Sequence, residues 1–162
     1  MRASVVVLSV LIGCARHSAA PVTRVAAARA PTPVAASFDR TLDATLEALV
    51  ERNVHFRVLD LSSGWIASEV LRVPENAEAV TWADCGTAQS DTTAVTQIPP
   101  EQVEYDVAVR GDTTRSTVHV TARWGTLYTG SWMVVPTSVE CVSRGVWEAH
   151  FEAEVRRRAE WH

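Results

Sequence analysis

The chain has 162 residues with 47% hydrophobic side chains, enough for one domain with a modest core and ordinary for a globular protein. Its formal net charge is −4 at pH 7, and all fifteen basic residues are Arg. That acidic balance argues against nucleic acid as a partner and against electrostatic adhesion to anionic lipid.

The amino terminus reads as a processing segment. Arg2 supplies a positive charge, and Ala3 to Leu11 is an apolar run too short to cross a bilayer as a helix. Leu11-Ile12-Gly13-Cys14 closes the run, with a small residue directly before a cysteine. This motif resembles the lipobox of bacterial lipoproteins. The resemblance implies that residues 1–13 are a signal peptide, that cleavage falls before Cys14, and that Cys14 carries lipid on its sulfur and on its new amino group. Two or three acyl chains hold a protein stably to a membrane, where one holds it marginally. Ala15 stands where some members of that family carry an Asp that retains them in the inner membrane. By resemblance, a host with two membranes would therefore place the protein on the periplasmic side of the outer one. The alternative is a plain secretory peptide cut near Ser18-Ala19-Ala20.

Residues 14–36 are rich in Ala, with prolines at 21, 31 and 33 and few large apolar side chains. Such a segment cannot bury a core and reads as a tether. A single globular domain is expected over 37–162. Ser37 is a good N-cap, and Phe38, Leu42, Leu46, Leu49 and Val50 share one helical face through about Arg52, with Asp39 complementing the helix dipole.

Val54 to Val58 alternates with period two, Ser62-Ser63-Gly64 supplies a turn, and a strand follows from Trp65 to about Val73. The register that collects apolar residues sets Val58 against Ile66, Phe56 against Ser68 and Val54 against Val70, with His55 opposite Glu69 on the other face. A short strand is expected at Val80 to Ala83, and a loop from Thr87 to Gln102. The clearest hairpin pairs Val103–Val109 with Ser116–Trp124. Centred between Asp112 and Thr113, it sets Val107 against Val118, Tyr105 against Val120 and Val103 against Ala122. Trp132 to Val135 suggests another strand. A final helix from Val146 to Glu160 carries Trp147, Phe151 and Val155 on one face, with Arg156 to Arg158 at its C-terminal end.

The order predicts an α+β fold in two layers, an antiparallel sheet of about four to six strands covered by an N-terminal and a C-terminal helix. Over residues 37–160 this order resembles the helix-grip modules of outer-membrane lipoproteins of the BamC type, which carry two such modules where this chain has room for one.

With Cys14 assigned to lipid, Cys85 and Cys141 remain as a pair. A structural disulfide, two buried thiols and a redox pair are the readings open to them. Export favours the disulfide, and the absence of a Cys-x-x-Cys motif argues against redox catalysis. His150 and Glu154 lie four apart on the last helix with Glu148 nearby, but His-Glu-x-x-His is absent and an exposed helical pair is expected. His55 with Glu69, and His119 on the polar face of the hairpin, have no partner that would gather them into an acid-base site. No Gly-x-Ser-x-Gly elbow or phosphate loop is present. Arg110-Gly111-Asp112 reads as turn chemistry. Six tryptophans (65, 82, 124, 132, 147 and 161) are either core filling or the lining of a groove between sheet and helix, with Trp65 and Trp124 expected to be the exposed ones.

The sequence therefore predicts a lipid-anchored envelope protein whose domain is a non-catalytic interaction module. Its expected partners are the membrane, through the lipid, and another envelope protein. The alternative is a small-ligand or lipid-binding module using a sheet-helix groove. No catalytic residue, metal or cofactor is assigned.

Overall fold

The computed structural model describes residues 29–74, 78–89, 95–128 and 137–161. The lipobox, the start of the expected tether and the expected strand at Trp132–Val135 lie outside them. Along the chain run β1 (Thr32–Val34), α1 (Phe38–Val50), β2 (Phe56–Asp60), β3 (Trp65–Ser68), β4 (Leu71–Arg72), α2 (Ala79–Trp82), β5 (Ala83–Asp84), β6 (Thr87–Gln89), β7 (Val95–Gln97), β8 (Gln102–Gly111), β9 (Ser116–Tyr128), β10 (Thr137–Ser143) and α3 (Val146–Trp161).

The fold is α+β. Its main sheet is antiparallel, with the order β2-β3-β8-β9-β10-β5, while β1 adds to β9 and β4 adds to β8; β6 and β7 form a separate ribbon. Eight strands exceed the four to six expected for a physical reason. At 13 residues β9 is long enough to pair on one edge first with β1 and then with β10. Two-residue strands such as β4 and β5 leave no period to read in the sequence.

Alternation along β8 and β9 builds the core. Val103, Tyr105, Val107 and Val109 are buried on one face with Val118, Val120, Ala122 and Trp124. Over that face α1 and α3 pack against each other and against the sheet, contributing Leu42, Leu49, Phe151 and Val155. The opposite face is polar, and Arg123 bridges Glu104 and Asp106 at 2.8 Å each. In α1 the Ser37 hydroxyl accepts the Arg40 N–H at 3.4 Å, the expected cap. The buried stripe of α1 runs through Thr41, Leu42, Thr45, Ala48 and Leu49, leaving Val50 exposed.

The β8–β9 register is displaced by two residues from expectation: Val107 faces Val120, Tyr105 faces Ala122 and Val103 faces Trp124. The cause is the turn. Asp112 Oδ1 accepts the Thr114 and Arg115 N–H groups at 2.7 and 3.0 Å, which fixes a four-residue connection from Asp112 to Arg115. In the first hairpin Phe56 faces Ser68 as expected. A bulge between Phe56 and Val58 then sets Val58 against Ala67 and Leu59 against Ile66.

Three further expectations change. Residues 29–36, placed in the tether, join the domain: β1 pairs with β9, and Val34 and Ala36 are buried. The expected strand at Val80–Ala83 is the short helix α2, with β5 beginning at Ala83. The expected loop after Thr87 contains the β6–β7 ribbon. Cys85 and Cys141 are joined in a disulfide that closes 56 residues and ties the end of β5 to β10.

Candidate functional site

Where the C-terminal end of α1, β4 and the first turn of α3 meet the sheet, a groove of about 300 Å³ opens. Strand alternation puts Val103 and Tyr105 of β8 and Trp124 of β9 on its floor. Trp82 comes from the end of α2, Trp147 from the start of α3, and Leu71 to Pro74 from β4 and the residues after it.

The aromatic rings form one connected stack. Tyr105 and Trp147 are parallel at 4.0 Å, and Trp147 and Phe151 are parallel at 5.2 Å. Trp82 lies 5.8 Å from Trp124, whose ring meets Tyr105 and Trp147 edge-on at 6.4 Å. Such pairs contribute about 0.5–1.5 kcal/mol each beyond their burial, which makes the lining stiff. Burial pushes the Tyr105 hydroxyl up, and the Glu148 charge adds to it, so the phenol stays protonated. The Trp124 Nε1–H is buried without an acceptor among the described residues.

Among the described residues, the charged side chains of the lining are Arg52 and Arg72. Arg52 lies 5.4 Å over the Phe151 ring, donates to the Ala48 carbonyl at 2.8 Å and pairs with Glu154. Arg72 is exposed and makes no ion pair among the described residues. Among the described residues no carboxylate lines the groove.

A second unusual group is Glu152, a fully buried carboxylate on α3. Its Oε1 accepts the Val120 N–H at 2.9 Å, and its Oε2 accepts from the Thr32 hydroxyl at 2.6 Å and Arg29 Nη2 at 2.9 Å. His119 Nδ1 stands 3.6 Å from Oε1.

The residues singled out by sequence do not converge. His150 is exposed, Glu154 is held by Arg52 and Arg158, and Glu148 is buried and accepts from Ser143. Among the described residues no three His, Cys, Asp or Glu side chains are grouped to hold a metal ion. His55 and Glu69 meet through the backbone, the Glu69 N–H donating to the His55 carbonyl at 2.9 Å. The Asp112 carboxylate is occupied by its own turn, and Arg110 reaches the Ser63 carbonyl, so neither charged end of Arg110-Gly111-Asp112 is presented freely. Trp65 is 38% exposed, as expected, and Trp161 is exposed. Trp124 is 2% exposed, against expectation: it is on the core face in either register, and because β9 runs on to Tyr128 it is paired with Val103 inside the strand and not left at its end.

Sequence reasoning did not single out Tyr105, Arg72 or Glu152. For Glu152 a signal exists: it shares the α3 stripe with Phe151, Val155 and Ala159. Of the described helices, none is long and apolar enough to cross a membrane. No protein-family model matches the chain, and no curated protein matches it.

Proposed function

We propose that this chain is a lipid-anchored envelope protein whose domain acts without catalysis, by holding another envelope protein along the free edge of its sheet. The lipobox-like Leu11 to Cys14 and the helix-grip-like order of elements support the envelope assignment. One observation carries the binding assignment. Strand β2 ends the sheet, and the β2–β3 hairpin exposes Val58, Leu59, Leu61 and Trp65. An edge strand's open row of N–H and C=O groups templates pairing with another chain; Arg57, Asp60 and the bulge blunt parts of β2, but Val58 and Leu59 between them remain apolar and exposed. A partner strand laid on β2 would gain main-chain hydrogen bonds, and these side chains would supply apolar contact.

The test is crosslinking in intact membranes, followed by mild extraction and mass spectrometry. One stoichiometric envelope protein should travel with the wild type and be lost in Leu59→Asp and Trp65→Ala, with thermal unfolding little changed. Extraction of the protein alone, or equal yields in the variants, would sink the edge assignment. Cys14→Ser should abolish acyl labelling and release the protein to the soluble fraction; unchanged retention would count against the anchor.

The aromatic groove favours a second reading, a module for a small ligand or lipid. Its support is the combination of a ring-lined floor with a cation, Arg72, that has no carboxylate partner among the described residues.

A further inference from the structure

On that second reading, we propose that the groove takes a single-chain anionic amphiphile, for which a medium-chain carboxylate is the simplest form. The chain lies against Trp82, Trp124 and Trp147, and the anion meets Arg72.

Size limits the ligand first. A volume of about 300 Å³ is at the small end of ligand pockets, with room for one short chain and not for a two-chain lipid. Charge then selects its sign. Aromatic walls often receive cations through their ring faces, but here Arg52 is already paired with Glu154, and Arg72 lines the groove with no acid beside it among the described residues. Arg72 is thus the lining charge left without a counter-ion among the described residues, and such a charge orients an anionic ligand at short range.

The two arginines have different tasks. Arg52 is committed to the Ala48 carbonyl, Glu154 and the Phe151 ring, so moving it would uncap α1 and break the link to α3. Arg72 has no such commitment among the described residues, and its fork of donors matches a carboxylate.

The test uses the full chain with Cys14→Ser, free of detergent, titrated at low ionic strength with decanoate and with decanol. Binding is read by tryptophan fluorescence and calorimetry. Decanoate should bind at least about tenfold more tightly than decanol, the margin expected for a charged hydrogen bond. Arg72→Glu should remove that margin and leave decanol unchanged, and Arg72→Lys should keep most of it. Equal affinity for the two probes overturns the anionic assignment and leaves the groove a ligand site. Binding of neither probe overturns both. If binding is lost in Trp65→Ala and kept in Arg72→Glu, the probes sit on the sheet edge and both assignments fail.

Discussion

Glu152 stands in for a missing strand beside Val120. On its outer edge β9 is paired with β1 as far as Val118 and with β10 from Trp124 onward, leaving an uncovered interval between them. The Glu152 carboxylate enters that interval from α3 and accepts the Val120 N–H at 2.9 Å. A buried N–H left without an acceptor costs about 1–3 kcal/mol, so a carboxylate delivered by a helix is a workable substitute for a ladder bond. The same carboxylate holds Thr32 and Arg29, and so fastens the first strand to the last helix.

Glu152→Ala should therefore lower stability by about 2–3 kcal/mol in urea unfolding. Arg29 is 31% exposed and regains water when its partner goes, which keeps the loss below that of a fully buried broken ion pair. Glu152→Gln retains one acceptor and should lose less. Amide exchange at Thr32 and Val34 should accelerate in both variants. A change under about 0.5 kcal/mol in Glu152→Ala would show that the gap in β9 is filled by other means.

How much of this was legible beforehand depends on the period each feature carries. The faces of β8 and β9 follow from alternation, and Val103, Tyr105, Val107 and Val109 are all buried as alternation requires. Their partners do not follow, because a two-residue slip leaves every face unchanged and only the Asp112 turn distinguishes the registers. The bulge at Arg57 and the four-residue helix α2 are too short to carry a period. A groove between sheet and helix is one of two readings the sequence leaves open for its tryptophans, and it carries no list of lining residues. Trp124 was expected outside, and Tyr105 and Arg72 become neighbours only through the fold. Glu152 was hidden for a different reason: a Glu on a helix stripe looks solvated until a strand edge needs its oxygen.

The disulfide should be a large contributor to stability. Closing 56 residues is worth about 4 kcal/mol on the chain-entropy account. A Cys85→Ala, Cys141→Ala double variant should lose up to that amount in urea unfolding. Non-reducing peptide mapping of the exported protein should recover a Cys85–Cys141 link, and two alkylatable thiols would contradict it. Both sulfurs are in buried residues, so reductant should act on the native protein slowly and faster in mild denaturant.

Gly64 allows the β2–β3 turn to sit on β8. Its φ is +64°, its carbonyl accepts the Val109 N–H at 2.8 Å, and a Cβ there would lie 2.5 Å from the Val109 carbonyl oxygen and 2.7 Å from Phe38. Left-handed backbone and overpacking together put Gly64→Ala at about 2–4 kcal/mol of lost stability. Trimming Phe38 to Leu in that background should restore little, because the Val109 backbone remains in the way. Full rescue would show that Phe38 alone forbids the side chain.

Asp60 gives the acid limb of stability a specific origin. Its carboxylate accepts from the Ser62 and Ser63 hydroxyls at 2.7 Å each and from both backbone N–H groups, and these bonds, that from Ser62 first, hold its pKa down to about 2 from an ordinary 3.8. The fold therefore favours the charged form. Its contribution is complete above the ordinary value, and is lost as pH falls from about 4 towards 2 and the carboxylate takes up a proton in the folded state. Asp112 acts in the same direction, lowered by the Thr114 and then the Arg115 backbone N–H. Urea unfolding of the wild type and Asp60→Asn between pH 5 and pH 2 isolates the effect. The wild type should be the more stable at pH 5, and the difference should shrink across the window and vanish near its lower end. A difference that stays constant with pH would mean that the turn is held by the Ser62 and Ser63 backbone geometry, whatever the charge on Asp60.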